Sequence, residues 1–414
     1  MNTLTCLVLS FVIAIYLIET ISDLLNLKNI SNDIPQEFED FFDKKKYAKA
    51  QNYLKDNTKF SILSSTITLV MQIAFILAGG FNYVNSIAIS FGFGTVFTGL
   101  IFAGILYLIC QIVDLPFSAY SIFVIEEKFG FNKMSVKTFI SDFFKSIIIN
   151  AIILGVTFSV IVWLFSNIAP HYAWLYAFAA ITVFELFTTF IYPIVVMPLF
   201  NKYTPLEDGE LKKSVEEYAK KENFKMKGLF KVDNSKRSTK SNAFFTGFGK
   251  SRRIALFDTL IQKHTVEELT SVLAHEMGHF KLGHIIRQMI FSFISMGGML
   301  FILSLFINKS WLYKAFLMDT QPIYAGVIFF AFLYAPMSFV LSTISSCLSR
   351  KYEYDADAYA VTTYKHPQDM INALKKLSVD NLSNLHPHKL KVFLEYSHPA
   401  VLDRINAIKN ISEK

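Results

Sequence analysis

Apolar residues fall along the chain in long blocks separated by polar, charged stretches. Seven blocks are long enough to span hydrocarbon, which needs about 20 residues each. They lie near 3–20, 61–80, 93–113, 146–166, 173–199, 288–307 and 323–347, and each is almost free of charge. The pattern predicts a mainly α polytopic membrane protein with seven transmembrane helices. The first block, MNTLTCLVLSFVIAIYLIET, carries neither the Lys or Arg nor the cleavage site of a signal peptide, so it is expected to be a retained first span.

The loops between blocks alternate in charge. Segment 22–60 carries seven lysines and segment 114–145 carries Lys128, Lys133, Lys137 and Lys145, whereas 81–92 and 167–172 carry no Lys or Arg. Cationic loops stay on the cytosolic side, which puts the N-terminus outside and the C-terminus inside. Termini on opposite sides also fit an odd number of spans. Four parts are therefore expected: 1–199 with spans one to five, 200–287 as a cytosolic part, 288–348 with spans six and seven, and 349–414 as a second cytosolic part.

Within 200–287, NAFFTGF (242–248) and RRIALFDTL (252–260) alternate like strands around a short Gly-Lys-Ser turn and predict a small β-hairpin. A helix should follow. Thr265 and Glu268 form a capping-box signature, and Val266, Leu269, Val272 and Leu273 recur at helical spacing.

Composition agrees with membrane insertion: 53% of residues are hydrophobic, 42 are Phe and 18% are charged. The formal net charge of +7 follows from the cationic loops. No basic stripe interleaves with aromatics, so nucleic acid is not expected as a partner. Cys6, Cys110 and Cys347 form no CxxC, which argues against a disulfide framework and against a cysteine metal site.

The predicted helix carries LAHEMGHF, residues 273–280. His275 and His279 are four apart, so their imidazoles leave one face and can grip one zinc ion. Zinc makes water acidic enough to attack near neutral pH. Glu276 is placed to take that water's proton and pass it to a leaving amine. With 9 His in 414 residues, chance supplies on the order of 0.01 such motifs. A third ligand is needed. The extended pattern would need His at 285, where Ile285 stands; His284 is one residue off, on another face of a continuous helix. The best source is SRKYEYDADAYA, residues 349–360, just past the seventh span. There Glu353 can complete a two-His, one-Glu site, and Asp357, one turn on, can hold a ligand imidazole by its other N–H. The bland alternative is a solvated polar helix.

Near the C-terminus, EYSHPAVLDRI (395–405) offers His398 and Arg404 as donors to the oxyanion of a tetrahedral intermediate. A helix start at Ser397–His398–Pro399 and an exposed arginine would explain the same string. A free hairpin edge beside the metal would suit an extended peptide, though an ordinary small sheet would look the same. Glu185 and Gln72, polar within spans, are expected to face a bundle interior or water.

The ordered set HEMGH, RKYEYDAD after a seventh span and SHPAVLDR resembles the type I CAAX prenyl proteases, integral-membrane zinc metalloendopeptidases. The likeness extends to LPFSAYSIFVIEEKFGFNK (115–133), IYPIVVMPLFNKYTPLEDGEL (191–211) and SNAFFTGFGKSRRIALFDTLI (241–261). The resemblance implies seven helices around a water-filled chamber closed at its cytosolic end by the protease domain. It implies one zinc per chain on His275, His279 and Glu353, with Glu276 as base and Asp357 as an assisting acid or proton donor. Asn242, His398 and Arg404 would line the substrate cleft. Family members remove the last three residues after a prenylated cysteine, and some act on stalled or misfolded membrane proteins. The expected partners are a peptide or prenylated protein and the lipid bilayer of the endoplasmic reticulum or of a bacterial cell. The other readings are a quality-control protease without prenyl dependence, and a transporter or receptor with a vestigial metal site.

Overall fold

The computed structural model describes residues 3–246 and 253–413. Seven helices are long and apolar enough to cross a membrane: Thr3–Lys28, Lys44–Leu77, Thr95–Glu126, Val136–Asn167, Pro170–Phe200, His284–Phe306 and Ile323–Tyr364. All seven expected blocks are present, and most extend beyond their apolar stretch into polar sequence. Each span packs against the next, and the seventh returns to the first while also touching the third and fourth, so the seven form a ring that is drawn together where the seventh crosses. Between 6% and 17% of each apolar window is buried. A filled bundle would bury far more, so the ring is one helix thick. Glu185 and Gln72 are half-buried in it.

One end of the ring is plugged. The stretch 81–92, expected as a loop, holds the helix Gly80–Ser90; its Phe81, Val84 and Ala88 join Tyr313, Phe316 and Phe329 in a buried cluster. Phe316 stacks on Phe329 at 4.2 Å, and Phe81 meets it edge-on at 5.0 Å. Helix Gly80–Ser90 packs mainly on the third span and the short helix Ser310–Ala315 on the first and seventh, so two helices too short to span bury their apolar faces here.

At the opposite end lies the soluble part. The expected hairpin is one edge of a four-stranded mixed sheet, ordered β1-β2-β4-β3. The strands are β1 Tyr203–Pro205, β2 Gly228–Val232, β3 Ala243–Thr246 and β4 Arg253–Phe257. β3 and β4 are antiparallel, with Ala243 opposite Leu256 and Phe245 opposite Ile254. Both are shorter than expected: residues 258–261 turn into helix, and the Gly-Lys-Ser turn lies outside the described residues. β2 joins β4 in parallel. β1 and β2 are three and five residues long, too short for a periodic signal against their polar surroundings.

The sheet buries one face on the motif helix, Val266–Lys281, through Ile254, Leu256, Leu269, Leu273 and Met277. The expected capping box starts that helix: Glu268 N–H donates to Thr265 Oγ1 at 3.3 Å, and Thr265 N–H to Glu268 Oε2 at 3.0 Å.

The motif helix crosses the seventh-span helix in close contact. Ile323–Tyr364 is 42 residues, roughly 63 Å of continuous helix. It traverses the apolar layer and carries on into the soluble part, passing residue 348 without a break. At the crossing stands Gly278. A Cβ there would lie 3.1 Å from Tyr359 Cδ1 and 3.2 Å from Cα and O of Ala356. Gly278→Leu is therefore expected to wedge the two helices apart, at a cost of about 1–3 kcal/mol. A lower apparent Tm in detergent, together with metal content well below that of the wild type, is the expected outcome; unchanged metal content would show that the crossing does not set the site.

Candidate metal centre and active site

Two rods meet here. The motif helix presents His275 and His279 on one face, and the seventh-span helix presents Glu353 one turn before Ala356. His275 Nε2 and His279 Nε2 are 3.1 Å apart. Glu353 Oε1 is 3.2 Å from His279 Nε2, and its Oε2 is 3.5 Å from His275 Nε2. Ligand atoms at 2.0–2.1 Å from a tetrahedral zinc lie about 3.3–3.4 Å apart. The three side chains therefore fit one such ion. Glu353 Oε2 is buried without a hydrogen-bond partner, although Arg404 Nη1 lies 3.1 Å away.

Behind the ligands stands an ordered set of charges. Asp357 is fully buried, and its Oδ1 is 2.8 Å from His275 Nδ1. That contact directs the other ring nitrogen, Nε2, to the metal position. Arg404 Nε donates to Asp357 Oδ2 at 2.8 Å and Nη2 to Oδ1 at 2.6 Å. Arg404 is 8% exposed, so the exposed-arginine alternative does not hold. Its nitrogens face inward, to Asp357 and Glu353. Burial works against the Arg404 cation, but those two carboxylates outweigh it and hold its pKa above the usual value. Burial pushes His275 down, but Asp357 and Glu353 lift it to about 9. Burial raises the Glu276 carboxyl above its usual range against the opposing pull of His275 and His279.

Glu276, His275, Glu353 and Arg404 line a cleft of about 650 Å³ with Asn242 and His398. Asn242 leads into β3, its carbonyl accepting Phe257 N–H at 3.0 Å. Asn381 pins the strand entry by exchanging two 3.1 Å bonds with the backbone of Ser241. β3 is an edge strand, and it packs on the motif helix. His398 stands at the cleft mouth with its side chain largely exposed, Nε2 3.4 Å from Glu353 Oε1 and Nδ1 2.9 Å from Ser397 Oγ.

His284 is the residue that helical spacing missed. Its Nδ1 is 3.1 Å from His279 Nδ1, and its buried ring stacks on Tyr352 at 4.3 Å. A wheel for one continuous helix turns it away. The motif helix stops at Lys281, Gly283 takes a left-handed φ of 71°, and a new helix begins at His284. A glycine two residues past a helix-final lysine is the signal that would have ended the helix there.

Fold and site together define a multi-span integral membrane metallopeptidase. Residues 205–412 match the model of peptidase family M48, and residues 23–202 match a CAAX prenyl protease N-terminal model of five membrane helices. The chain belongs to this family. It is 35% identical to CAAX prenyl protease 1 of Saccharomyces cerevisiae, an alignment covering 92% of this chain and 89% of that protein. It is 32% identical to the CAAX prenyl protease 1 homolog of Homo sapiens, again over 92% and 89%. The crystal structure of S. mikatae Ste24p superposes with a TM-score of 0.93 at 34% identity over 99% of both chains.

Metal must displace the proton that His275 holds below about pH 9. Binding therefore releases at least one proton, and apparent affinity is expected to rise about tenfold per pH unit between about pH 6 and pH 8. Chelator competition at several pH values reads this directly; a flat profile would contradict it. His284→Ala is expected to weaken metal binding about 10–100-fold in the same assay, with His284→Gln recovering part of the loss.

Proposed function

We propose that the chain is a zinc endopeptidase that removes the C-terminal tripeptide of prenylated CAAX proteins at the cytosolic face of its membrane. The convergence of His275, His279 and Glu353 beside Glu276, in a cleft bordered by an edge strand, carries this reading. The relatives agree: proteins called CAAX prenyl protease 1 align over nearly the whole chain. The lysine-rich loops favour the cytosolic side.

His275, His279 and Glu353 would hold the ion. Zinc, when bound, supplies Lewis acidity to the scissile carbonyl and makes water a nucleophile near neutral pH. The outer edge of β3 would pair with the extended substrate main chain and align its scissile bond over Glu276. Glu276 takes a proton from the attacking water and delivers it to the leaving amine. Its raised pKa suits a group that must hold and release that proton. In the tautomer that accepts from Ser397 Oγ at Nδ1, neutral His398 would carry its proton on Nε2 and could donate to the oxyanion. Arg404 is engaged with Asp357, so its role is to keep that carboxylate charged and His275 oriented. Asp357 then acts by positioning His275 rather than as a proton donor.

The direct test is Glu276→Gln. Peptide hydrolysis should fall by about 10²–10⁴-fold with zinc content unchanged; full activity would remove Glu276 as the base. Comparing one CAAX peptide with and without its farnesyl group tests the substrate. Preferential cleavage of the farnesylated form is expected, and equal rates would favour a membrane protease indifferent to the lipid.

A further inference from the structure

A second cleft lies where the fourth and fifth spans leave the membrane on the metal side. Lys137 and Lys145 come from the first turns of the fourth-span helix, and Lys202 follows the end of the fifth. Lys236 and Arg237 come from the connection between β2 and β3, and Arg253 opens β4. They line one cavity of about 740 Å³ together with two carboxylates, Asp142 and Asp233. Asp233 and one oxygen of Asp142 are engaged, while Asp142 Oδ1 is buried without a hydrogen bond and has Lys145 Nζ 3.6 Å away. Asp142 Oδ2 accepts from Arg237 Nε at 2.9 Å and Nη2 at 2.8 Å, and Asp233 Oδ1 accepts the Lys202 backbone N–H at 2.6 Å.

Among the described residues, the side chains of Lys137, Lys202 and Lys236 have no carboxylate partner within ion-pair distance. Arg237 leaves Nη1 buried without a hydrogen bond. Orienting a loop topologically requires lysines, but not their convergence from separate segments into one hollow. Six cations against two carboxylates leave the hollow net positive, with Lys137, Lys202 and Lys236 open to solvent, and a guanidinium nitrogen left unsatisfied is a ready donor to phosphate.

Position then selects the source of that anion. Val136, Ile140, Phe144 and Ile148 recur every four residues along the fourth-span helix, and all are between 48% and 60% exposed. They form an apolar stripe beside the basic cleft. Val195 and Leu199 of the fifth span are similarly open. Phosphate-binding groups at the end of an apolar stripe match an anionic phospholipid, headgroup in the cleft and acyl chains along the helix.

We propose that this cleft binds the phosphate headgroup of an anionic phospholipid of the adjoining leaflet. The site joins spans four and five to the sheet that carries β3, so an occupied cleft fastens the soluble part to the membrane surface.

The test titrates the purified full-length protein in detergent with phosphatidic acid, or with phosphatidylcholine of the same chains, and counts bound lipid by native mass spectrometry. The wild type should prefer phosphatidic acid by about tenfold or more. K137E/K202E/K236E should lose that preference while keeping its metal content, and K137Q/K202Q/K236Q should lose most of it with less risk to folding. K44E/K45E/K46E makes the same charge change at exposed lysines elsewhere and should leave the preference intact. Equal loss in the 137/202/236 and 44/45/46 variants would reduce the effect to net charge and overturn the site. Absence of any preference in the wild type would do the same. Complete displacement of the lipid by millimolar inorganic phosphate would assign the cleft to free phosphate and overturn the lipid reading.

Discussion

The structure depends on one close crossing between two helices. The motif helix can present two imidazoles but has no third ligand on its face; the seventh-span helix has a carboxylate but nothing to share it with. Gly278 against Ala356 allows their backbones to approach near enough for Glu353 to meet both histidines. A Cβ at Gly278 or a larger side chain at Ala356 would add its own thickness to the gap, and the ligand separations tolerate only about tenths of an ångström. The small residues are thus as necessary to the metal centre as the ligands themselves.

Bringing that many ionisable groups out of water is costly unless each is matched. The matching here runs in sequence through the site. Glu353 faces the histidines, His275 is backed by Asp357, and Asp357 is gripped by two nitrogens of Arg404. His279 leans on His284. Arg404 arrives from the C-terminal helix Val401–Ser412, far along the chain. Its buried, inward geometry means the last helix completes the charge balance of the centre instead of merely covering it.

The membrane part and the soluble part are continuous through the long helix. Glu353 stands six residues beyond the apolar stretch that ends near 347, on the order of 10 Å above it. The site therefore sits at the mouth of the helical ring, within reach of a peptide whose other end is held in lipid.

Several of these features were legible from residue order alone. The spans showed because hydrocarbon demands about 20 apolar residues, a local property. HEMGH showed because the i, i+4 spacing and the Thr265 capping box are also local, and Glu353 and Asp357 stood out by type and by position past the seventh span. Other features required the folded chain. β1 and β2 are too short to have a period, so the mixed sheet was invisible beside its hairpin. His284 looked misplaced until Gly283 reversed the chain. Arg404 read equally well as exposed or buried, because its burial depends on partners about 50 and 130 residues away. Residue order alone was enough for the available chemistry and for insertion into a membrane, since both follow from residue types at short spacing. Which groups meet, and which way each points, was decided by the packing of Gly278 on Ala356 and by Arg404 closing on Asp357, contacts between segments that local order does not encode.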